Sequence, residues 1–268
     1  RPACQPGPER LHPRQRNPGR RPPAAVSMIK KMMTWLEDRN RRFSRSFGKD
    51  ISTPKGRFWG NVHYNVVDHA FLRVLWTNFF EIAPGVYRSN HPGPRRLKRY
   101  RELGIKTVVT LRGEEKFAHY QFEKEACEAL GMEFRVTKLW ARNATKRDRL
   151  LAVLDTFRDI EKPFVFHCKS GADRAGIVAA MYLMVFEGLP VEEARKQLSM
   201  KYLHMKWTKT GVQDYILSVY EARKNAEPIG FEDWLRSEYR AARLNDAWDA
   251  RKTPAETAQM LRDRKDEA

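Results

Sequence analysis

Cys168 and Arg174 stand six positions apart in the run His167-Cys168-Lys169-Ser170-Gly171-Ala172-Asp173-Arg174, with a glycine between them. A thiol does nucleophilic chemistry as its thiolate, which an electropositive surrounding favours at neutral pH. A guanidinium presents a planar fork that holds two oxygens of a phosphate and follows them as charge spreads. Together the two residues suit attack of the Cys168 sulfur on a bound phosphate, to give a phosphocysteine that water then hydrolyses. The backbone N–H groups from Lys169 to Arg174 are the candidate cradle for the phosphate oxygens, and no metal or other cofactor is required for that stabilisation. Lys169, Ser170, Gly171 and Ala172 are therefore candidate binding positions. Lys169 either adds positive field or points to solvent. His167 either orients the loop and supports the thiolate or is a buried structural histidine.

Such a cradle needs a strand to deliver the thiol and a helix N-terminus to close it. The apolar run Pro163-Phe164-Val165-Phe166 precedes Cys168, and the helical run Ile177 to Phe186 follows Gly176. Four short apolar runs predict strands: Val86 to Arg88, Thr107 to Leu111, Glu133 to Val136 and Phe164 to His167. Helical patterns alternate with them at Arg95 to Leu103, Phe117 to Leu130 and Arg147 to Ile160. Further helices are predicted at Ala175 to Phe186, Val191 to Leu198 and Thr208 to Lys224. The alternation predicts an α/β fold, a central mainly parallel sheet flanked by helices, with the Cys168 loop at the carboxyl end of a central strand. Phe71 to Phe80 reads as a helix or strand packed on the domain. In the last segment Trp234, Leu235, Tyr239, Leu244 and Trp248 recur at helical intervals, a stripe expected to dock on the domain.

The Cys-x5-Arg pattern preceded by His resembles the signature of the cysteine-dependent phosphatases, the protein tyrosine and dual-specificity phosphatase superfamily. The resemblance extends to Pro84-Gly85-Val86-Tyr87-Arg88-Ser89-Asn90-His91-Pro92 and to Leu103-Gly104-Ile105-Lys106-Thr107-Val108-Val109-Thr110-Leu111-Arg112-Gly113, which look like the opening of bacterial and atypical dual-specificity-like members. It spans roughly residues 79 to 225. It implies a protein tyrosine phosphatase-like fold and a phosphoric monoester hydrolase acting on phosphoprotein or on another phosphomonoester. A second reading is a phosphatase of inositol phosphates, phosphoinositides or phosphorylated lipid; a third, from another class, is a catalytically weak phosphate-recognition protein.

Two positions depart from the commonest pattern of that superfamily. Many members carry an Asp on a mobile loop some 30 residues before the cysteine, where this chain has Leu139-Trp140-Ala141-Arg142-Asn143. Two carboxyls are candidates to protonate the leaving group. Asp148 falls in the first turn of a predicted helix, where an acid also favours the dipole. Asp173 lies beside Arg174, similar to myotubularin-like and Sac-type phosphoinositide phosphatases, and is the favoured candidate. The second departure is Ala175, which replaces the Ser or Thr that many relatives place after the arginine. Arg88, Arg112, Trp140 and Arg142 either line the pocket or, for the arginines, form structural salt bridges.

The chain carries a net charge of +18 over 268 residues, and residues 1–60 hold 15 Lys and Arg against 4 Asp and Glu. Residues 1–60 thus read as a basic, partly disordered arm, 61–226 as the catalytic domain and 227–268 as a helical extension. The chain begins without methionine, and a leader that ends before Met28 is one reading of its first residues. From Met28 a basic amphipathic helix would suit an anionic membrane surface, against the alternative of a solvated charged face. No nucleic-acid module accompanies the basic residues, so no nucleic-acid partner is expected. No apolar run reaches the ~20 residues of a bilayer span, and Arg1 to Val26 lacks the apolar core of a secretory signal. Cys4, Cys127 and Cys168 match neither a disulfide framework nor a zinc pattern. A free reactive thiol fits a reducing, cytoplasmic setting, with peripheral membrane contact as an option.

Overall fold

The computed structural model describes residues 51–68, 70–114 and 117–263. The amphipathic helix expected from Met28, and most of the basic arm, lie outside them. Elements in chain order are α1 (Pro54–Val62), a π-helical turn His63–Val67, α2 (Leu72–Leu75), β1 (Phe80–Ala83), β2 (Val86–Ser89), α3 (Pro94–Glu102), β3 (Thr107–Thr110), α4 (Ala118–Ala129), β4 (Glu133–Val136), α5 (Arg147–Asp159), β5 (Phe164–His167) and α6 (Asp173–Val185). They are followed by α7 (Val191–Ala194), three short 3-10 turns, α8 (Val212–Ala226), α9 (Phe231–Ser237), α10 (Ala241–Asp249) and α11 (Pro254–Asp263).

The sheet runs β1-β2-β5-β3-β4; β1 pairs antiparallel to β2 and every other pair is parallel. β5 is central and all four of its residues are buried, the continuous apolar run expected where helices cover both faces. Strand alternation divides the core accordingly. Phe164 and Phe166 enter one cluster with Val109, Leu154 and Phe157, whereas Val165 enters the other with Val108, Leu97, Tyr100 and Cys127. His167, at the end of β5, pairs in register with Ser89 on one side and Thr110 on the other, so the next residue leaves the sheet at its carboxyl edge. That residue is Cys168.

The fold is the α/β architecture predicted from the alternation, and the differences are local. α6 begins at Asp173, two residues earlier than the apolar run suggests, because an acidic residue at a first helical position favours the dipole. The helix read over Val191 to Leu198 is one α-turn followed by a 3-10 turn at Arg195–Gln197, and α8 starts only after a 3-10 turn at Lys209–Gly211. Phe71 to Phe80 contains both α2 and the start of β1. Residues 54–60, grouped by charge with the arm, are helical: Gly60 lies against Ala118 and Phe122, and Arg57 pairs with Glu125 of α4 at 2.8 Å. The last segment does dock. Trp234, Leu235, Tyr239 and Leu244 are buried in the same cluster as α5, α6 and α8. No described helix is long and apolar enough to cross a membrane.

Candidate functional site

The loop from Cys168 to Ala172 turns β5 into α6 with the thiol on its floor. Cys168 is 1% exposed, and the Gly171 N–H donates to its Sγ at 3.2 Å. Gly171 takes φ +75°, and a Cβ there would lie 2.7 Å from the Asn90 nitrogen and 2.9 Å from the Ser89 carbonyl carbon, so only glycine fits. No side chain caps α6 at Ala172, which leaves its first-turn N–H groups directed at the loop. Arg174, in that first turn, has a buried Nε without a hydrogen-bond partner. Thiol and amides thus meet at one helix N-terminus whose first turn carries Arg174, an arrangement that can bind and polarise a phosphate.

Long-range contacts fix the loop from beneath. Arg88 of β2 is fully buried; its Nη2 donates to Gly171 O (2.6 Å) and Ala172 O (3.3 Å), and its Nη1 to Gln197 O (2.9 Å) and Gln197 Oε1 (2.7 Å). The Tyr202 ring stacks on it at 3.8 Å. Burial pulls the Arg88 pKa down to about 10, so it remains a cation at neutral pH. Arg88 therefore lies under the loop rather than lining the pocket. Asn78, held at φ 48°, donates through Nδ2 to Ser170 O and Tyr202 O, both at 3.0 Å. By turning these carbonyls outward, Arg88 and Asn78 leave the loop's N–H groups facing the other way.

His167 is buried, with Nδ1 3.2 Å from Cys168 O and Nε2 2.7 Å from Glu123 Oε1 of α4. The second Glu123 oxygen lies 3.5 Å from His91 Nδ1. Burial, reinforced by the Arg112 cation, holds His91 well below the usual histidine range, so it is neutral. Beside the loop, buried Asp68 joins three cations: Arg112 in a two-bond fork at 3.0 Å each, Arg73 at 2.8 Å and Lys169 at 3.3 Å. Burial opposes the Asp68 charge, but Arg112 and Arg73 outweigh it and hold the carboxyl well below the ordinary range. Lys169 is thus tethered instead of pointing free into solvent, and Arg112 takes the salt-bridge alternative.

Asp173, the first residue of α6, contacts His204 Nδ1 through Oδ1 at 2.7 Å. The other ring nitrogen of His204 meets Asp214 Oδ2 of α8 at 2.5 Å. Burial works against a charge on His204, but hydrogen bonds to Asp173 and Asp214 prevail and raise its pKa to about 9. Asp148, the other candidate, has its side chain 86% exposed in the first turn of α5 and pairs with Arg147.

The connection that lacks an acid, residues 139–146, is pinned by the last third of the chain. Gln213 Nε2 donates to the carbonyls of Trp140 (3.2 Å) and Ala141 (3.1 Å), the Tyr239 hydroxyl to Thr145 O (2.7 Å), and Ala144 N to Asn245 Oδ1 (2.7 Å). Trp140 is partly exposed beneath the Arg149 guanidinium, and Arg142 is exposed. Cys127 is buried, which pushes its thiol up and leaves it inert.

The loop candidates His167 to Arg174 thus lie on one strand-loop-helix segment, whereas Asp148 is an exposed first-turn residue of another helix. Sequence reasoning missed Asn78, Asp68, Glu123, His204 and Asp214. Asn78 has a local signal only in its unusual backbone, and the others reach the site through tertiary pairs.

Comparison with known proteins gives a match to the family described as "Swiss Army Knife protein, DSP-PTPase phosphatase domain" over residues 87–221, half of the chain. Among curated proteins, the dual specificity protein phosphatase TpbA of Pseudomonas aeruginosa is 31% identical over 130 residues, covering 45% of this chain and 53% of that protein. The chain thus spans about half the length of the curated relatives it matches. Among solved structures, P. aeruginosa TpbA aligns with 21% identity and a TM-score of 0.45 over 53% of this chain and 83% of its own. Tk-PTP in the active form aligns with 23% identity and a TM-score of 0.44 over 53% and 97%. The core catalytic domain of a PP-IP phosphatase from S. cerevisiae gives 15% and 0.43 over 57% and 96%.

Proposed function

The chain belongs to the DSP-PTPase phosphatase family, and from that membership and the loop geometry we propose that it hydrolyses phosphomonoesters through a phosphocysteine, most readily those of phosphoproteins. The observation that carries this reading is the Cys168 sulfur under the Gly171 N–H at an uncapped helix N-terminus, with Arg174 in the same turn. Cys168 attacks phosphorus, Arg174 and the loop amides take up the equatorial oxygens, and Asp173 gives the leaving oxygen its proton. Water then attacks phosphorus, Asp173 takes its proton back, and the thiolate leaves. Pinning of residues 139–146 supports Asp173 as the acid, since that connection offers no carboxyl and is not free to swing one in. His167, through Glu123, holds the loop from behind.

A second reading, hydrolysis of inositol phosphates or phosphorylated lipid, is supported by Lys169, Arg73 and Arg112 gathered on the single carboxylate of Asp68 beside the loop, a cluster of net positive charge. The free thiol fits a reducing cytoplasmic setting. An anionic membrane surface remains a candidate partner through the basic arm, tested by vesicle binding after deletion of residues 28–57. For the central reading, p-nitrophenyl phosphate, a phosphotyrosine peptide and inositol phosphates are assayed in turn. Turnover that disappears in Cys168→Ser while phosphopeptide binding persists supports it. Binding without turnover by the unaltered protein means a phosphate-recognition module instead.

A further inference from the structure

His204 has no part in a minimal scheme of thiolate, guanidinium and acid, yet both of its ring nitrogens are used. Its side chain is 0% exposed, and it links Asp173 of α6 to Asp214 of α8, two helices that meet nowhere else through charged groups among the described residues. The turn that delivers it is strained: Leu203 lies in the left-handed region at φ 58°, unfavourable for a side chain with a Cβ. That turn is tied to the catalytic loop, because Asn78 grips both Tyr202 O and Ser170 O. Strain held in place beside a loop of this kind points to a constraint beyond packing.

We infer that His204 is a positioning residue for Asp173, holding one carboxyl oxygen so that the other carries the transferable proton, and stabilising the carboxylate left when that proton departs. This rests on the phosphatase reading. The imidazolium donates Nδ1–H to Asp173 Oδ1 and Nε2–H to Asp214 Oδ2 throughout. In the first step the S–P bond forms, the ester P–O bond breaks and the Asp173 proton moves to the leaving oxygen. In the second, water gives its proton to Asp173 as its oxygen bonds phosphorus and the S–P bond breaks. With the transferable proton on Asp173, the trio of Asp173, His204 and Asp214 carries no net charge, Asp214 balancing the imidazolium. Asp173 and Asp214 are the charged groups facing the ring from the two helices packed against it.

The test compares phenyl phosphate, whose leaving group needs a proton, with 2,4-dinitrophenyl phosphate, whose leaving group does not. In His204→Gln, kcat/KM on phenyl phosphate is expected to fall roughly 10- to 100-fold, with kcat/KM on the dinitrophenyl ester within about threefold of the unaltered protein, because kcat/KM reads only the first step, in which the phenyl ester alone needs the proton. The unaltered enzyme should lose kcat/KM on phenyl phosphate along an alkaline limb set by the imidazolium, whose pKa its carboxyl partners raise, and that limb should vanish in His204→Gln. Asp214→Asn keeps the ring but removes one anionic partner, so its limb should move to lower pH; it also serves if the glutamine variant does not fold. Equal losses on both esters, or an unmoved limb in Asp214→Asn, overturn the inference. Failure of the unaltered protein to hydrolyse the dinitrophenyl ester, or full activity in Cys168→Ser, overturns the phosphatase reading itself.

Discussion

Replacement of Arg88 by Met keeps most of the aliphatic stem and removes the fork that holds the loop. Two of the bonds lost, to Gly171 O at 2.6 Å and Gln197 O at 2.9 Å, are well formed and end on backbone carbonyls, the first buried and the second part-buried. A hydrogen bond from a charged donor contributes about 1.5–3 kcal/mol. The Ala172 contact at 3.3 Å is weak and the Gln197 side chain can turn to another partner, so these two dominate. The stacked Tyr202 ring contributes about 1 kcal/mol more. Against these stands the desolvation of a fully buried guanidinium, visible in its lowered pKa, which the variant no longer bears. The net loss is about 3 kcal/mol, which shifts a urea midpoint by roughly 1 M or more. Freed carbonyls would also let the loop amides turn from the phosphate, and kcat should drop by ~100-fold where the variant is still folded. Arg88→Lys should recover only part of both, since a single ammonium cannot span Gly171 and Gln197. Urea melts followed by fluorescence, with kcat measured well below the midpoint, check both numbers. An Arg88→Met protein with unaltered midpoint and kcat would refute the view that this buried cation shapes the loop.

Gly171→Ala places a Cβ at 2.7 Å from the Asn90 nitrogen in a left-handed backbone; expect a loss of at least ~2 kcal/mol and near-complete loss of turnover, read by the same melts and assays. Tyr239→Phe removes the 2.7 Å bond to Thr145 O and should lower stability by ~1 kcal/mol while faster proteolysis or hydrogen exchange appears at residues 139–146. The His204 pKa is raised from an unfolded value near 6.5 to about 9. Its stabilisation is therefore fully present below ~pH 6.5 and is lost as pH rises through 9, a decline in denaturation midpoint that His204→Gln should flatten. Asp173→Asn should slow phenyl phosphate hydrolysis by ~100-fold, with Asp148→Asn at the unaltered rate; the opposite ranking would move the acid to α5.

What could be seen in the sequence was whatever local pattern dictates. β5 is four consecutive buried residues, and Cys168 to Arg174 follows it without a break, so strand, loop and helix were all apparent along with their chemistry. The stripe from Trp234 to Leu244 was apparent for the same reason. α11 carries a local signal too: Thr253 and Glu256 form a reciprocal capping box, Thr253 N to Glu256 Oε2 at 2.9 Å and Glu256 N to Thr253 Oγ1 at 3.3 Å, with Pro254 at the first helical position. β1 escaped because it is short and only Ala83 is buried, which erases its alternation. Asn78, 92 residues from Ser170, and Glu123, in another element from His167, had no local pattern at all; their roles exist only once the chain has folded. Arg88 illustrates the remaining limit, since its type and strand end suggested a pocket wall whereas its contacts put it beneath the loop.

Everything turns on whether phosphorus becomes bonded to the Cys168 sulfur during turnover. Acid quenching of the protein within the first milliseconds of reaction with 2,4-dinitrophenyl phosphate, followed by peptide mass spectrometry, reads this directly. The account predicts one phosphoryl group on the peptide that contains Cys168, a matching burst of dinitrophenol, and neither in Cys168→Ser. Turnover with an unmodified Cys168 peptide at every quench time, or a phosphoryl group found on another side chain, would contradict it.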